Sequence, residues 1–167
     1  MRHSDQPSID LARAEDYQAI ADIYNVFIQG GESTMEEDIH TRAHIEGWVK
    51  KFNERERLFV LKKEGQVIGW AIIKRYSDRK GYRFAAETAV YLHPDALGKG
   101  YGSYLKTYVI GQCRELGYHH LVAKIFATND ISIEYNRKLG YTIVGRQKEI
   151  GFKNGHWQDV VIMQLVL

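Results

Sequence analysis

Apolar positions along the chain recur with two alternating periods, and the changes of period mark its elements. Ser8–Ala12 reads as a short extended segment. From Glu15 onward, Tyr17, Ile20, Tyr24, Phe27 and Ile28 fall on one helical face. Glu15 and Asp16 favour the positive helix start, and Gly30-Gly31 ends the run. Thr41 offers an N-cap for a second helix, with Ile45, Trp48, Val49 and Phe52 along one stripe. Two strand-like runs follow, Leu58–Lys62 and Val67–Lys74, and Glu64-Gly65 between them signals a hairpin. Residues 76–82 are polar and loop-like, and Ala85–Leu92 predicts another strand, closed by His93-Pro94-Asp95. Leu105, Tyr108, Val109, Cys113 and Leu116 form a third helical stripe, stopped by Gly117. His120–Ala127 predicts a strand and Ile131–Leu139 a short helix stopped by Gly140. A strand from about Thr142 to Ile150 is then turned by Asn154-Gly155 into a last one, Trp157–Leu165. The order β-α-α-β-β-β-α-β-α-β-β mixes helices with hairpins. It predicts one α/β or α+β domain on a mixed sheet.

Composition narrows this. The 167 residues suffice for one hydrophobic core without disulfides or a structural metal. A single cysteine excludes an internal disulfide framework and any CxxC motif. Cys113 lies on an apolar stripe and reads as a small buried hydrophobe. His119-His120 has no third ligand at metal spacing, so no metal is expected. Lys and Arg number 23 against 21 Asp and Glu, interspersed as in Lys50-Lys51 followed by Glu54, Glu56 and Arg57. Such a pattern is a solvated face and no nucleic-acid stripe. Met1–Pro7 carries no apolar signal core, and no apolar run is long enough to span a bilayer, so a soluble cytoplasmic protein without membrane contact is expected.

Glycine is over-used, 15 residues against 2 prolines, where average usage gives about 12 and 8. Gly98, Gly100 and Gly102 cluster between a predicted strand and a predicted helix. Glycine lets backbone N–H groups turn toward one point, and the helix start adds partial positive charge, which makes an anion site suited to a pyrophosphate. Lys99 offers a cation there. A Walker A loop is absent, and Gly98-Lys99-Gly100-Tyr101-Gly102 has the wrong spacing for a dinucleotide fingerprint.

Three stretches, Ala89–Ser103, Asn129-Asp130-Ile131-Ser132 and Lys138-Leu139-Gly140-Tyr141, together resemble the GNAT family of N-acetyltransferases. Within it, Ile23-Tyr24-Asn25, Tyr82-Arg83 with Glu87, Val90-Tyr91-Leu92-His93-Pro94, and Gly151-Phe152-Lys153 with Trp157 and Asp159 are most similar to the phosphinothricin/methionine sulfoximine acetyltransferases. The resemblance implies a single domain over residues 1–167, with a mixed, mostly antiparallel sheet of about seven strands and about four helices splayed around an acetyl-CoA cleft. It places Gly100 and Gly102 on the pyrophosphate and pairs Tyr91 and Leu92 with the pantetheine arm by strand-like hydrogen bonds, with Val90, Gly98, Lys99, Tyr101 and Ser103 as further cofactor-binding residues. Asn129, Ser132 and Asn136 would contact the cofactor further along. The family's leading Arg or Gln of the loop is Leu97 here, and the Tyr or His near the leaving thiolate is Asn136, which can donate a hydrogen bond to sulfur but cannot serve as an acid.

Glu87 is the candidate base. A protonated amine must lose a proton before attacking a thioester, and a carboxylate in a closed cleft can take it directly or through water. A surface ion pair with Arg83 or Arg75 is the structural alternative for Glu87. The resulting oxyanion would be stabilised by a backbone N–H near Leu92. Arg79, Tyr82 and Arg83 are expected to recognise substrate, with Lys74 and Arg75 as rivals for its carboxylate; Met35 stands where relatives carry an aromatic. The resemblance thus implies acetyl transfer from acetyl-CoA to the primary amine of a small amino acid-like substrate, by a homodimer. A peptide N-acetyltransferase and a non-catalytic acyl-CoA sensor are the alternatives.

Overall fold

The computed structural model describes residues 6–31 and 33–167; of the stretch read for a signal sequence, Met1–Asp5 lies outside them. Its elements run β1 (Ser8–Leu11), α1 (Tyr17–Gly30), α2 (Arg42–Lys50), β2 (Arg57–Lys63), β3 (Gln66–Arg75), β4 (Ala85–Leu92), α3 (Tyr101–Glu115), β5 (His120–Phe126), α4 (Asp130–Lys138), β6 (Thr142–Lys153) and β7 (His156–Val166). The order matches the one that the hydrophobic pattern predicts. All seven strands join one sheet in the order β1-β2-β3-β4-β5-β7-β6. Every neighbouring pair is antiparallel except β4 and β5.

Most strand and helix ends shift by a single residue, and two boundaries differ by more for local reasons. The first helix begins at Tyr17 after a 3-10 turn over Ala14–Asp16. There the buried Asp16 carboxylate accepts the Arg13 backbone N–H at 2.9 Å and pairs with Lys62 at 3.0 Å. Strand β6 continues to Lys153 through a bulge between Gln147 and Gly151, which breaks its alternation. Glu149 takes the left-handed conformation in that bulge (φ 51°). Its N–H donates to Asp159 Oδ1 at 2.7 Å, while Arg146 Nε holds Oδ2 at 2.7 Å. Both contacts favour the charged carboxylate and keep Asp159 below its ordinary pKa.

The two faces of the sheet are covered unequally. Helix α3 buries Leu105, Val109 and Cys113 against Phe59, Leu61, Ala71, Ile73, Ala86 and Leu121 on one face. Helices α1 and α2 bury Ile20, Tyr24, Ile28 and Ile45 against Leu58, Val60, Trp70 and Ile72 on the other. This second layer reaches across β2–β4 only, so the same face of β5, β7 and β6 is left open as the floor of a cleft.

The cleft's upper wall is the segment after α1. Gly31 ends that helix in the left-handed conformation (φ 85°), its N–H bonded to the Phe27 carbonyl at 3.2 Å. A β-carbon at Gly31 would run into the side-chain amide of Asn154, at the β6–β7 turn. Gly31→Ala is therefore expected to lower stability by about 1–3 kcal/mol, from backbone strain and collision together. Denaturant unfolding measures this; a change below about 0.5 kcal/mol contradicts it.

Candidate active site

The site originates where β4 and β5 part. They pair in parallel over only three positions, Ala85↔His120, Ala86↔Leu121 and Glu87↔Val122. Beyond these, β4 remains paired to β3 through Leu92, and β5 to β7 through Phe126. The edge of β4 that faces the gap, from Thr88 to Leu92, thus carries backbone groups without a strand neighbour. Such groups need hydrogen-bond partners, and an extended ligand arm with amide groups supplies them. Val90, Tyr91 and Leu92 lie on this edge.

At the open end of the gap sits the glycine loop. Gly98 and Gly100 adopt left-handed backbone (φ 74° and 83°), and Gly100 is the N-cap of α3. The first-turn N–H groups of α3, at Tyr101, Gly102 and Ser103, have no preceding helical carbonyls to bond. A β-carbon on Gly98 or Gly100 would meet nothing within 4 Å, so the loop leaves open space for an anion. Gly102 is different: Leu92 and Tyr135 lie 3.6 and 3.7 Å from where its β-carbon would be, and the Tyr135 hydroxyl donates to the Gly102 carbonyl at 2.6 Å. That bond ties α4 to the first turn of α3. Tyr101 turns to β2, where Lys63 Nζ donates to its hydroxyl at 3.1 Å. Lys99, Ser103 and Leu97 are exposed.

Helix α4 closes the gap from the other side. Asn129 caps it, Oδ1 accepting the Ser132 N–H at 3.2 Å, so its side chain is committed to the helix. Asn136 is buried, and its amide donates to the Ser132 carbonyl at 2.8 Å, while its Oδ1 has no partner among the described residues. One of the two amide N–H groups is thus engaged by its own helix, and the second is the donor that the sequence suggests for sulfur.

Glu87 is the last β4 residue paired with β5, and its side chain faces the cleft. It pairs with neither Arg75 nor Arg83. Its Oε2 lies 3.4 Å from Lys124 Nζ on β5 and 4.0 Å from Lys74 Nζ on β3. Arg75 is taken up by Glu56 and by Asp78, the latter at 2.5 Å.

The cleft above Glu87 has a volume of about 1400 Å³. Met35 and Tyr82 line it. Met35 packs so tightly on Gly151 that a β-carbon there would strike its thioether, which explains a glycine in mid-strand. Arg79 and Arg83 instead line a separate cavity of about 260 Å³ with Arg55 and Lys80. The 3-10 turn at Lys80–Tyr82 separates the two sets, leaving Tyr82 alone of the three at the cleft. Lys124 and Arg146 line the cleft without a sequence signal that marks them, because strand pairing to β7 brings them there, while Tyr24 of the Ile23-Tyr24-Asn25 stretch reaches it through the α1 packing.

The upper wall is pinned by polar bonds. Lys153 is buried at 1% exposure and donates to the Thr34 carbonyl at 2.7 Å. Tyr24 and Thr34 hydroxyls bond at 2.8 Å, and the Tyr91 hydroxyl donates to the Ser33 carbonyl at 3.3 Å. Burial pushes the Tyr24 and Tyr91 phenols up and the Lys153 ammonium down. Both tyrosines are therefore neutral hydrogen-bond groups at ordinary pH, which leaves Glu87 as the carboxylate beside the gap.

Comparisons agree with this geometry. A family model described as an acetyltransferase (GNAT) domain matches residues 9–162. The L-amino acid N-acyltransferase MnaT of Escherichia coli K12 is 31% identical over 161 residues, 96% of this chain and 94% of that one. An L-methionine sulfoximine/L-methionine sulfone acetyltransferase of Pseudomonas aeruginosa is 33% identical over 165 residues, 96% of this chain and 94% of that one. Among solved structures, a GNAT superfamily phosphinothricin acetyltransferase from Sinorhizobium meliloti, in complex with AcCoA, matches with a TM-score of 0.92 at 33% identity. That match covers 97% of this chain and 89% of the other. With the strand gap, the glycine loop and the family model in agreement over most of its length, the chain belongs to the GNAT family of acetyltransferases.

Proposed function

We propose that the protein acetylates the primary amine of a small amino acid-like substrate, of the phosphinothricin or methionine sulfoximine type, with acetyl-CoA as co-substrate. One observation carries this reading: the Glu87 carboxylate stands at the vertex of the β4–β5 gap, facing a cleft rimmed by lysines. Acetyl-CoA supplies an activated acyl thioester. The α3 first turn with Gly98 and Gly100 holds its pyrophosphate, and the free edge of β4 at Val90–Leu92 holds its amide-bearing arm. Backbone N–H groups on that edge also donate to the acyl oxygen as negative charge develops on it. Glu87 removes the proton from the substrate ammonium, directly or through a water. Lys74 and Lys124, which flank Glu87, attract a carboxylate on the substrate, while Met35 and Tyr82 shape its pocket.

A peptide amine is the second reading. A cleft of about 1400 Å³ exceeds the roughly 300–1,000 Å³ usual for small-molecule sites, although the cofactor arm shares it.

The protein is further proposed to act in the cytoplasm as a homodimer. No helix among the described residues is long and apolar enough to cross a membrane. On the β6–β7 hairpin, Ile150, Phe152 and Trp157 are more than half exposed, and the last two rings stack edge-on at 5.0 Å. An apolar patch on an edge hairpin suits burial against a second copy.

Glu87→Gln is expected to lower kcat by about 10²-fold or more with acetyl-CoA binding retained, measured by thiol release and calorimetry. Equal rates for the two proteins would remove Glu87 as the base. Lys124→Met is expected to raise KM about tenfold for an amino acid but not for its carboxamide, and an equal rise for both contradicts carboxylate recognition. Trp157→Asp is expected to halve the mass in sedimentation, and a wild-type monomer at micromolar concentration contradicts the dimer.

A further inference from the structure

Beneath the gap, on the side away from the cleft, lies a lysine that the acyl transfer as described does not use. Lys106 projects from α3 into the core and is 3% exposed. Its Nζ donates to Thr88 Oγ1 at 2.8 Å, and it stands 5.1 Å over the ring of Tyr141. The Tyr141 and Thr88 hydroxyls are 3.3 Å apart, so the three groups form one buried cluster joining α3, β4 and the residue before β6. Thr88 follows Glu87 directly and is the first β4 residue past the parallel pairing with β5. The cluster therefore sits at the vertex from which the two strands diverge.

A buried lysine usually has a carboxylate partner; among the described residues Lys106 has none. The titratable groups facing it are the Cys113 thiol on its own helix and the Tyr141 phenol, while β4 contributes the Thr88 hydroxyl. Burial pushes Tyr141 and Cys113 up to about 12, so neither supplies an anion at neutral pH. For core packing alone, methionine or leucine would fill the same space without desolvating a charge. An unneutralised cation in a low-dielectric interior does favour negative charge that forms nearby, and here that place is the gap above Thr88.

On the reading that the gap is the site of acetyl transfer, we propose that Lys106 is a positioning residue for that reaction: through Thr88 it holds a positive charge under the vertex, where negative charge forms on the acyl oxygen and the departing thiolate. Its desolvation lowers the ammonium to about 8 in the free protein, and an anion in the gap opposes that fall. Ligand charge and Lys106 protonation are then reciprocally linked.

Two measurements on the whole chain test this. The first needs no turnover: Lys106 is followed by NMR of the lysine ε-carbons, assigned by loss of its signal in Lys106→Met. It is expected to titrate well below the other lysines, and to move upward by at least half a unit with CoA bound but not with desulfo-CoA. An unmoved titration overturns the proposal even if the proposed amine chemistry holds, and a shift with CoA supports it even if no amine is turned over. The second compares kinetics. Lys106→Met is expected to lower kcat about tenfold or more, leave both KM values unchanged, and abolish the alkaline fall of kcat near pH 8–9. Thr88→Val, which keeps the amine but breaks its bond to β4, is expected to lower kcat severalfold and retain that alkaline limb. Wild-type kcat and pH profile in Lys106→Met contradict the role. The sign of the stability effect is also fixed. A lowered native pKa costs stability below about pH 8, and the cost disappears as pH rises toward the unfolded value near 10.4. Lys106→Met is accordingly expected to melt higher than wild type at pH 7, by a margin that narrows by pH 10. A variant that melts lower throughout shows a packing role and overturns the proposal.

Discussion

The proposed site depends on a failure of two strands to stay together. Strand β4 follows its antiparallel partner β3 over seven residue pairs, and β5 follows β7 over seven, but β4 and β5 share only three. Each pair of strands keeps its own right-handed twist, so two hairpin-like halves joined by a short parallel seam rotate apart. The seam ends at Glu87, which places a carboxylate at the vertex, free backbone beyond it and the mouth of α3 at the far end. One departure from sheet regularity thus brings a carboxylate, an unpaired strand edge and a helix N-terminus together.

The rest of the fold keeps that opening from collapsing. Helix α3 fills one face beneath it, and Tyr135 ties α4 to the first turn of α3 through the Gly102 carbonyl. On the other face α1 and α2 stop short of β5, β7 and β6, so the floor is left uncovered. The wall above is held by Lys153, Tyr24 and Tyr91, each bonded to Ser33 or Thr34. These bonds rigidify a segment that has no regular structure of its own.

Much of this was legible in the residues. Hairpins announced by Glu64-Gly65 and Asn154-Gly155 form where expected, with Glu64 and Asn154 in the left-handed conformation that such turns require. The glycine cluster caps α3 as its spacing implies. What stayed hidden depends on long-range placement. Nothing local to Lys124 marks it as the neighbour of Glu87, since strand pairing across 37 residues of sequence brings them together. Arg79 and Arg83 belong to the right loop but leave the cleft because a 3-10 turn re-aims them. Asn136 was readable as an amide but not as one that bonds the Ser132 carbonyl of its own helix. Lys106 sits on the shoulder of an apolar stripe, where a lysine ordinarily reaches solvent, and only the depth of α3 against β4 buries it.

The central claim is that the divergence of β4 from β5 is itself the binding edge, and amide hydrogen exchange reads it most directly. In the free protein, the Thr88–Leu92 amides that point away from β3 should exchange fast, and those bonded to β3 slowly. Acetyl-CoA should protect the fast set along with the first-turn amides of α3, and leave β5 amides bonded to β7 unchanged. Protection confined to other surfaces, with the β4 edge still exchanging freely, would contradict the account.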